Sequence, residues 1–590
     1  MDATILTKLV FIATCLCIGA KAGKFNPCCS NPCDKGSLCM TKGLDDYVCD
    51  CTGLEFYGRN CDIPTWRHWL VSFVKPTPET LHNFLTHNNW FWNLVNGFQW
   101  LHSALLKMVL IDRAAKVDIP NPFAAEHDYS TVDGYFNLST YGRALPPIPR
   151  NCPKPMGTKG KAELPHVDVM VERLFARREF IPDSLNTNVF FGFFAQHFTH
   201  MFFKTEPKKG PAYTWGRHGV DVSNVYGPTR KIENALRSMK GGKLKMQTIN
   251  GEDWPMYSSS IPDIEMMQWT GVNSSNDFAL GHNFFSILPG LEMISTIWMR
   301  EHNRVAGILE KEHPEWDDEQ LFQTSKIIIL AETIKIVIED YVQHLSAYKF
   351  RLDYDPALLH GAAVQYQNRI YLEFNHLYRW HPLMPDTFKI NGEDYSMLEF
   401  MNKGTDVLIN SGLANFLKSL IAQQAGQIGP RNHNLYTQHV VKTVVHESRE
   451  LRIKPFNEYR KKYNLVPYKS FEELTGEKEI AGILEDMYGD VDAVEYYVGI
   501  MLERSRKRTL FGSTVVDVGG PFSLQGLYAN PIGSPKYWCP TTFGGEVGFN
   551  IAKTASLEKL FCKNIKGECP RVTFTVQATD ATGKYVKDEL

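Results

Sequence analysis

The chain has 590 residues, 43% of them apolar, and its 63 basic and 65 acidic side chains leave a net charge of −2. That length supports a large core and more than one folded unit. The balanced charge leaves no basic excess to suggest a nucleic-acid partner, and none is expected.

Residues 1–22 read as a secretory signal: Lys8 precedes an apolar run from Leu9 to Ala20, and Ala20-Lys21-Ala22 fits the small-x-small cleavage pattern. The run is shorter than the ~18–20 residues a membrane span needs. Residues 587–590, Lys-Asp-Glu-Leu, form a receptor-read address for the endoplasmic reticulum. Together the two signals predict a protein retained in that lumen, where disulfides persist.

Seven of the 13 cysteines crowd between Cys28 and Cys61. Residues 25–63 resemble an epidermal-growth-factor-type module, by the Cys49-Asp50-Cys51 step and the Tyr57-Gly58-x-x-Cys61 turn. So small a segment needs covalent staples because it cannot bury enough apolar area. The resemblance implies the pairs Cys28–Cys39, Cys33–Cys49 and Cys51–Cys61. It leaves Cys29 for a distant partner, with Cys152 the candidate.

Residues 64–116 hold five of the twelve tryptophans. The segment is broken by Pro76, Pro78 and Gly97, so its helices are short. Trp66, Trp69, Leu70 and Phe73 share one helical face, as do Leu81, Phe84 and Leu85. Asn93, Asn96, Gln99, His102 and Lys107 interrupt the most apolar stretch, which argues against a buried span. Amphipathic helices lying in one leaflet fit the pattern, and packing of the same faces on the protein's own core is the competing reading.

Residues 117–586 read as one large, mainly α unit. Its clearest pattern runs from Asp317 to Tyr348, where Leu330, Ile334, Val337, Tyr341, Leu345 and Tyr348 recur every three or four residues as a single stripe. Asn137 and Asn273 each open an Asn-x-Ser acceptor sequence for N-glycosylation.

Two stretches carry chemistry. In Phe190–Phe203, FFGFFAQHFTHMFF, Gln196 and His200 lie four apart within a shell of phenylalanines. A polar pair is costly to bury there unless it meets a ligand or water. A haem peroxidase needs such an arrangement: a base to move the proton of bound peroxide and an amide to hold it. A zinc site from His197 and His200 is the rival, but no HExxH spacing or carboxylate set completes it. In Leu372–Pro385, LEFNHLYRWHPLMP, Tyr378 and His381 lie three apart, as neighbours one turn apart on a helix. Pro382 disfavours α geometry at His381 and predicts the helix end there, with the imidazole free to meet a metal. The bland alternatives are a core histidine and a core tyrosine.

FFAQHFTH, WMREHNRVAG (Trp298–Gly307), LYRWHPLMP and VGGPFSLQGL (Val518–Leu527) together resemble the prostaglandin-endoperoxide synthases, the cyclooxygenase branch of the animal haem peroxidases. The resemblance spans nearly the whole mature chain. It implies one haem b per subunit, with His381 as axial iron ligand, His200 and Gln196 on the distal side, and Tyr378 as the radical-forming residue. It implies arachidonate, O2 and peroxide as substrates, a homodimer, and a monotopic seat on one lumenal leaflet. Arg113 would take the fatty-acid carboxylate, with Tyr348 beside it. Tyr341, Val342, Leu345, Ser346, Phe198, Phe202, Phe374, Leu377, Trp380, Phe511, Val516, Gly519 and Leu524 would line the channel. Ser523 matches the serine that aspirin acetylates; a turn serine after Pro521 is the bland reading. Arg506 and Val516 match the inducible mammalian form, whose side pocket is wider.

The chain departs from that pattern in several places. Asp517 stands where the family usually has glutamate, and Arg379 where mammalian members have histidine. Cys562 and Cys569, the expected last disulfide, are one residue further apart than usual, and Cys539 is left unpaired. The family's third glycosylation sequence is missing near Lys403. Two other functions stay in view: a haem peroxidase or fatty-acid dioxygenase without endoperoxide formation, and a non-enzymatic adhesion protein.

Overall fold

The computed structural model describes residues 25–117, 123–268 and 276–577. The signal segment, Asn273 and the C-terminal tetrapeptide lie outside the described residues. Among these, regular sheet is confined to four two-stranded antiparallel hairpins, and helices make up most of the rest, as the residue patterns predict.

The N-terminal region folds around cystine rather than around apolar side chains. Strands β1 (Leu38–Lys42) and β2 (Asp46–Asp50) pair with Cys39 opposite Cys49. Disulfides join Cys28 to Cys39, Cys33 to Cys49, and Cys51 to Cys61. Cys29 reaches Cys152 and ties this region to the body. Near the other end Cys562 and Cys569 are bonded, while Cys539 is free.

Four short helices follow: α1 (Trp66–Val74), α2 (Pro78–Thr86), α3 (Asn89–Gly97) and α4 (Gln99–Ala114). Thr65 and Thr77 cap the first two through their hydroxyls. Trp66, Phe73, Trp90 and Trp100 are each more than 70% exposed. Among the described residues no single helix is long and apolar enough to cross a membrane, and α3 and α4 are bent 105° to each other. The polar residues that interrupt this segment anchor it. Asn96 donates to the Lys349 carbonyl and accepts from the Arg351 amide, and His102 bonds the Arg351 carbonyl at 2.8 Å.

The body is built on α5 (Val189–Thr199), α6 (Pro289–Glu312) and α7 (Asp318–Ile336). Phe190, Phe191 and Phe193 on α5 are fully buried, and burial of one such side chain contributes ~1.5–3 kcal/mol. α5 crosses α6 at Gly290, where a Cβ would lie 2.4 Å from the Phe193 ring. The expected single stripe on α7 is wider: Ile328 to Ile338 are buried except for Leu330 and Lys335, because α6 covers one side and the helix Glu546–Lys553 another. Beyond Ile336 the helix continues as a π segment over Val337–Val342, which re-aims Tyr341 and Val342. Two further helices complete the site: α8 (Leu372–Leu377) and α9 (Ser513–Tyr528).

Candidate active site

Tyr378 and His381 do not share a helix. α8 stops at Leu377, Tyr378 is its C-cap with ψ 42°, and His381 opens a separate 3-10 turn after Trp380, whose ψ is 38°. Pro382 ends the helix earlier than expected because the break propagates back through Arg379. The two side chains therefore face different surroundings. The His381 turn is clamped from below by Arg177, which donates to the carbonyls of Pro382 (3.1 Å) and Met384 (2.9 Å) and to Asp386 (2.9 Å). It also packs on α5 at Gly192, where a Cβ would lie 2.4 Å from Met384 Cε.

On the histidine side, nitrogens are left free. His200 Nδ1 donates to the Gln196 carbonyl at 2.7 Å, which fixes the tautomer and leaves Nε2 as a lone-pair base. Burial pushes His200 down to about 4, so it is neutral across the physiological range. Its ring stacks on Phe284 with centroids 5.2 Å apart. Gln196 sits one turn earlier, half-buried. His197 points elsewhere: it is locked between Asn224 (3.1 Å) and Ser295 (3.1 Å), a satisfied core histidine. Among the described residues no cluster of histidine, cysteine and carboxylate groups could hold a bare metal ion, which removes the zinc alternative. His381 is pushed down to about 3, by burial first and by the charge of Arg379 second, against a weak contact with the Arg379 backbone, and its buried Nδ1 makes no well-aligned hydrogen bond. His381 and His200 lie within electrostatic reach of each other. A neutral, under-satisfied imidazole within reach of a second neutral imidazole is a donor set that fits haem.

On the tyrosine side lies a cavity of about 520 Å3. Tyr378, Leu377 and Trp380 form its inner end. Val342, Leu345, Ser346, Phe511, Val516, Gly519, Ser523 and Leu524 form its walls, and Tyr348 and Arg113 stand toward α4. A smaller pocket beyond shares Val342, Tyr378 and Ser523, and is completed by Phe198, Phe202, Tyr341 and Phe374. Ser523 lies inside α9, which carries Pro521 mid-helix, so it is no turn serine. The Tyr378 ring stacks on Trp380 (4.3 Å between centroids), and its hydroxyl lies 3.3 Å from Ser523 Oγ. Burial raises the phenol above its ordinary value and keeps it protonated.

At the wider end Asp517 bridges two arginines. One carboxylate oxygen accepts from Arg113 Nη1 and the other from Arg506 Nη2, both at 2.8 Å. The shorter aspartate arm thus keeps the pair. Burial works against the Asp517 charge, but Arg113 and Arg506 outweigh it and hold the carboxyl below its ordinary value. Arg506 and Asp517 stand behind Arg113 rather than in the cavity wall. Asn137 accepts from both the amide and the hydroxyl of Ser139 within its sequon.

Residue patterns alone missed Arg177 and the inner faces of α3 and α4, while the Leu81–Phe84–Leu85 face of α2 was seen and turns inward, as the core-packing alternative had it. Leu81, Leu85, Trp92, Leu106 and Leu110 line the cavity, with Phe84, Leu105 and Val109 beside them, while Trp66, Phe73, Trp90 and Trp100 face outward. Their three- and four-residue spacing was the available signal, masked by apolar residues on the other face.

Residues 217–520 match the family model for animal haem peroxidases. Over 576 residues the chain is 50% identical to prostaglandin G/H synthase 2 of Equus caballus, covering 97% of this chain and 94% of that one. It is 49% identical to prostaglandin G/H synthase 1 of Rattus norvegicus, covering 93% of this chain and 91% of that one. The chain belongs to the prostaglandin G/H synthases. Membership brings haem binding, a fatty-acid substrate with O2 and peroxide, and both cyclooxygenase and peroxidase function. The fold is also that of the fatty acid alpha-dioxygenase of Oryza sativa, with TM-score 0.59 and 18% identity over 86% of this chain and 98% of that one.

Proposed function

We propose that the protein converts arachidonate and two O2 to prostaglandin G2 through a Tyr378 radical, then reduces it to prostaglandin H2. His381 would hold haem b through its ring nitrogen, and His200 and Gln196 would meet the peroxide that it reduces. Bound haem would supply the oxidising equivalents when a peroxide is reduced, and a small reducing co-substrate must return the two electrons and two protons that turn each hydroperoxide into an alcohol and water. His200 Nε2 takes the proton of the incoming hydroperoxide and returns it to the departing oxygen, and Gln196 holds the peroxide by an amide hydrogen bond. Tyr378 gives up one electron and its hydroxyl proton. The resulting phenoxyl takes a hydrogen atom from a doubly allylic carbon of the fatty acid. O2 then adds to the carbon radical, the peroxyl closes the ring, and a second O2 adds. Return of a hydrogen atom from Tyr378 completes the hydroperoxide. Arg113 and Tyr348 hold the carboxylate, and the apolar wall holds the chain in place of water.

The observation that carries this reading is the position of Tyr378: it is three residues from His381, yet its ring forms the inner end of an apolar cavity whose other end carries Arg113. The test is Tyr378→Phe. Oxygen uptake with arachidonate should disappear while hydroperoxide reduction continues; persistence of both activities removes the radical role.

The surrounding architecture fits the same reading. Residues 25–63 would be a contact module of an epidermal-growth-factor type, 64–116 a membrane-binding unit, and 117–586 the catalytic domain. The exposed aromatic faces of α1–α4 suit one lumenal leaflet of the endoplasmic reticulum, with substrate arriving from the bilayer. A homodimer, a cleaved signal at 1–22, a retention signal at 587–590 and glycans at Asn137 and Asn273 complete the proposal.

A further inference from the structure

The cavity mouth carries more charge than one carboxylate anchor requires. Lys75, Asp112 and Arg113 all line it. Lys75 caps the end of α1 and reaches across to the last turn of α4, with Nζ 3.6 Å from Asp112 Oδ1. Lys116, one turn further on, approaches the other Asp112 oxygen at 3.8 Å. Both contacts are long, and the Lys75 and Asp112 side chains are 60% and 51% exposed. Ion pairs of this kind contribute little and exchange partners readily. One step inward the arrangement repeats in a drier setting: Arg113 holds Asp517 at 2.8 Å, with the two side chains 17% and 7% exposed. Lys116 touches Asp112 and lies within electrostatic reach of Arg113 and Asp517.

We propose that Lys75 and Lys116 form an outer carboxylate station at the cavity mouth, with Asp112 as its displaceable occupant. A fatty-acid carboxylate exchanges with Asp112 there, then with Asp517 at Arg113. The inference rests on reading the cavity as a fatty-acid channel. Its physical content is that the headgroup leaves water without ever facing apolar wall unpaired, which is the costly alternative. At each level one carboxylate replaces another, so no lysine or arginine is stripped of its counter-ion. The first exchange also releases the tie between the end of α1 and α4 across the entrance.

The test uses full-length, haem-loaded protein in neutral detergent, with oxygen uptake on arachidonate and on its methyl ester at several ionic strengths. In Lys75→Met/Lys116→Met, KM for the acid should rise about five-fold at low salt, the scale of an exposed charge pair. Its salt dependence should flatten, while kcat and the ester's KM hold. Lys75→Arg/Lys116→Arg should restore the acid's KM. Asp112→Asn should lower it about two-fold by removing the competing carboxylate. The station is overturned if the acid's KM does not move, if acid and ester move together, or if Asp112→Asn weakens the acid. Failure of the unsubstituted protein to consume oxygen with either substrate sinks the channel reading, and the station with it.

Discussion

Around His200 and His381 the protein withholds partners from its polar atoms, whereas around Tyr378 it withholds polar atoms. His200 spends one nitrogen on the Gln196 carbonyl and keeps the other free, and His381 has a buried Nδ1 without a well-aligned hydrogen bond. A few residues away, the Tyr378 ring is packed by Trp380, Phe374 and Phe203, and the groups in reach of its phenol are neutral hydroxyls, Ser523 at 3.3 Å and Tyr341. Unsatisfied buried nitrogen costs stability unless a ligand completes it. A dry wall costs nothing, and it protects a radical from water and stray donors. The contrast assigns ligand-dependent stability to one side and selectivity to the other.

The largest effect should follow from removing the completing group. His381→Ala should abolish the haem absorbance band near its usual violet position and reduce both activities at least ~1,000-fold, since both depend on the same oxidising equivalents. Retention of the band with normal intensity would show that another residue carries the iron. Next, His200→Ala should slow hydroperoxide reduction by ~100- to 10,000-fold, the usual range for a positioned acid–base. Oxygen uptake should then begin only after a lag, because Tyr378 is oxidised late rather than never. If the lag is absent, the two sides are not coupled in the order argued above.

Acidification sharpens the same contrast. His200 is depressed to about 4, below its value in an unfolded chain, so its base form is present above that pH and is lost as pH falls through it. The rate of hydroperoxide reduction should be flat from neutral pH down to about 5 and fall below about 4, as stopped-flow absorbance would record. An inflection near the ordinary histidine value of ~6.5 would mean that the imidazole is solvated and not the base described.

On the carboxylate side, Arg113→Gln should raise KM for arachidonate by ~10- to 100-fold with little change in kcat, the range for loss of a charge-assisted hydrogen bond. Hydroperoxide reduction should not respond. An equal fall in both activities would indicate damage to the fold rather than to the mouth.

How much of this could be read from residues alone follows from which forces act locally. The helical body, the cystine-stapled N-terminus and the Gln196–His200 pair were legible, because periodicity, cysteine crowding and a polar pair among phenylalanines are local signals. The Tyr378–His381 relation was misread. Three-residue spacing implied one helix, but Pro382 and the conformations of Tyr378 and Trp380 turn the chain between them. The clamp by Arg177 could not be seen, since it joins positions 205 residues apart to backbone carbonyls that carry no sequence mark. The family resemblance left the Asp517 question open. Geometry answers it, because α9 brings the shorter side chain close enough to serve Arg113 and Arg506 at once.

The smallest effect should come from Ser523, and its smallness is informative. Its hydroxyl is 3.3 Å from that of Tyr378, at the long end for an O–H···O bond. Loss of so weak a neutral bond is worth ~0.5–1 kcal/mol, so Ser523→Ala should change oxygen uptake by less than about five-fold. Ser523 nevertheless belongs to both pockets that meet at Tyr378. Bulk at this position should therefore matter far more than polarity: Ser523→Phe should stop oxygen uptake and leave hydroperoxide reduction intact. If Ser523→Ala proved as damaging as Ser523→Phe, the hydroxyl would be steering the Tyr378 phenol. The tyrosine side would then depend on a specific polar contact, as the histidine side does, rather than on shape alone.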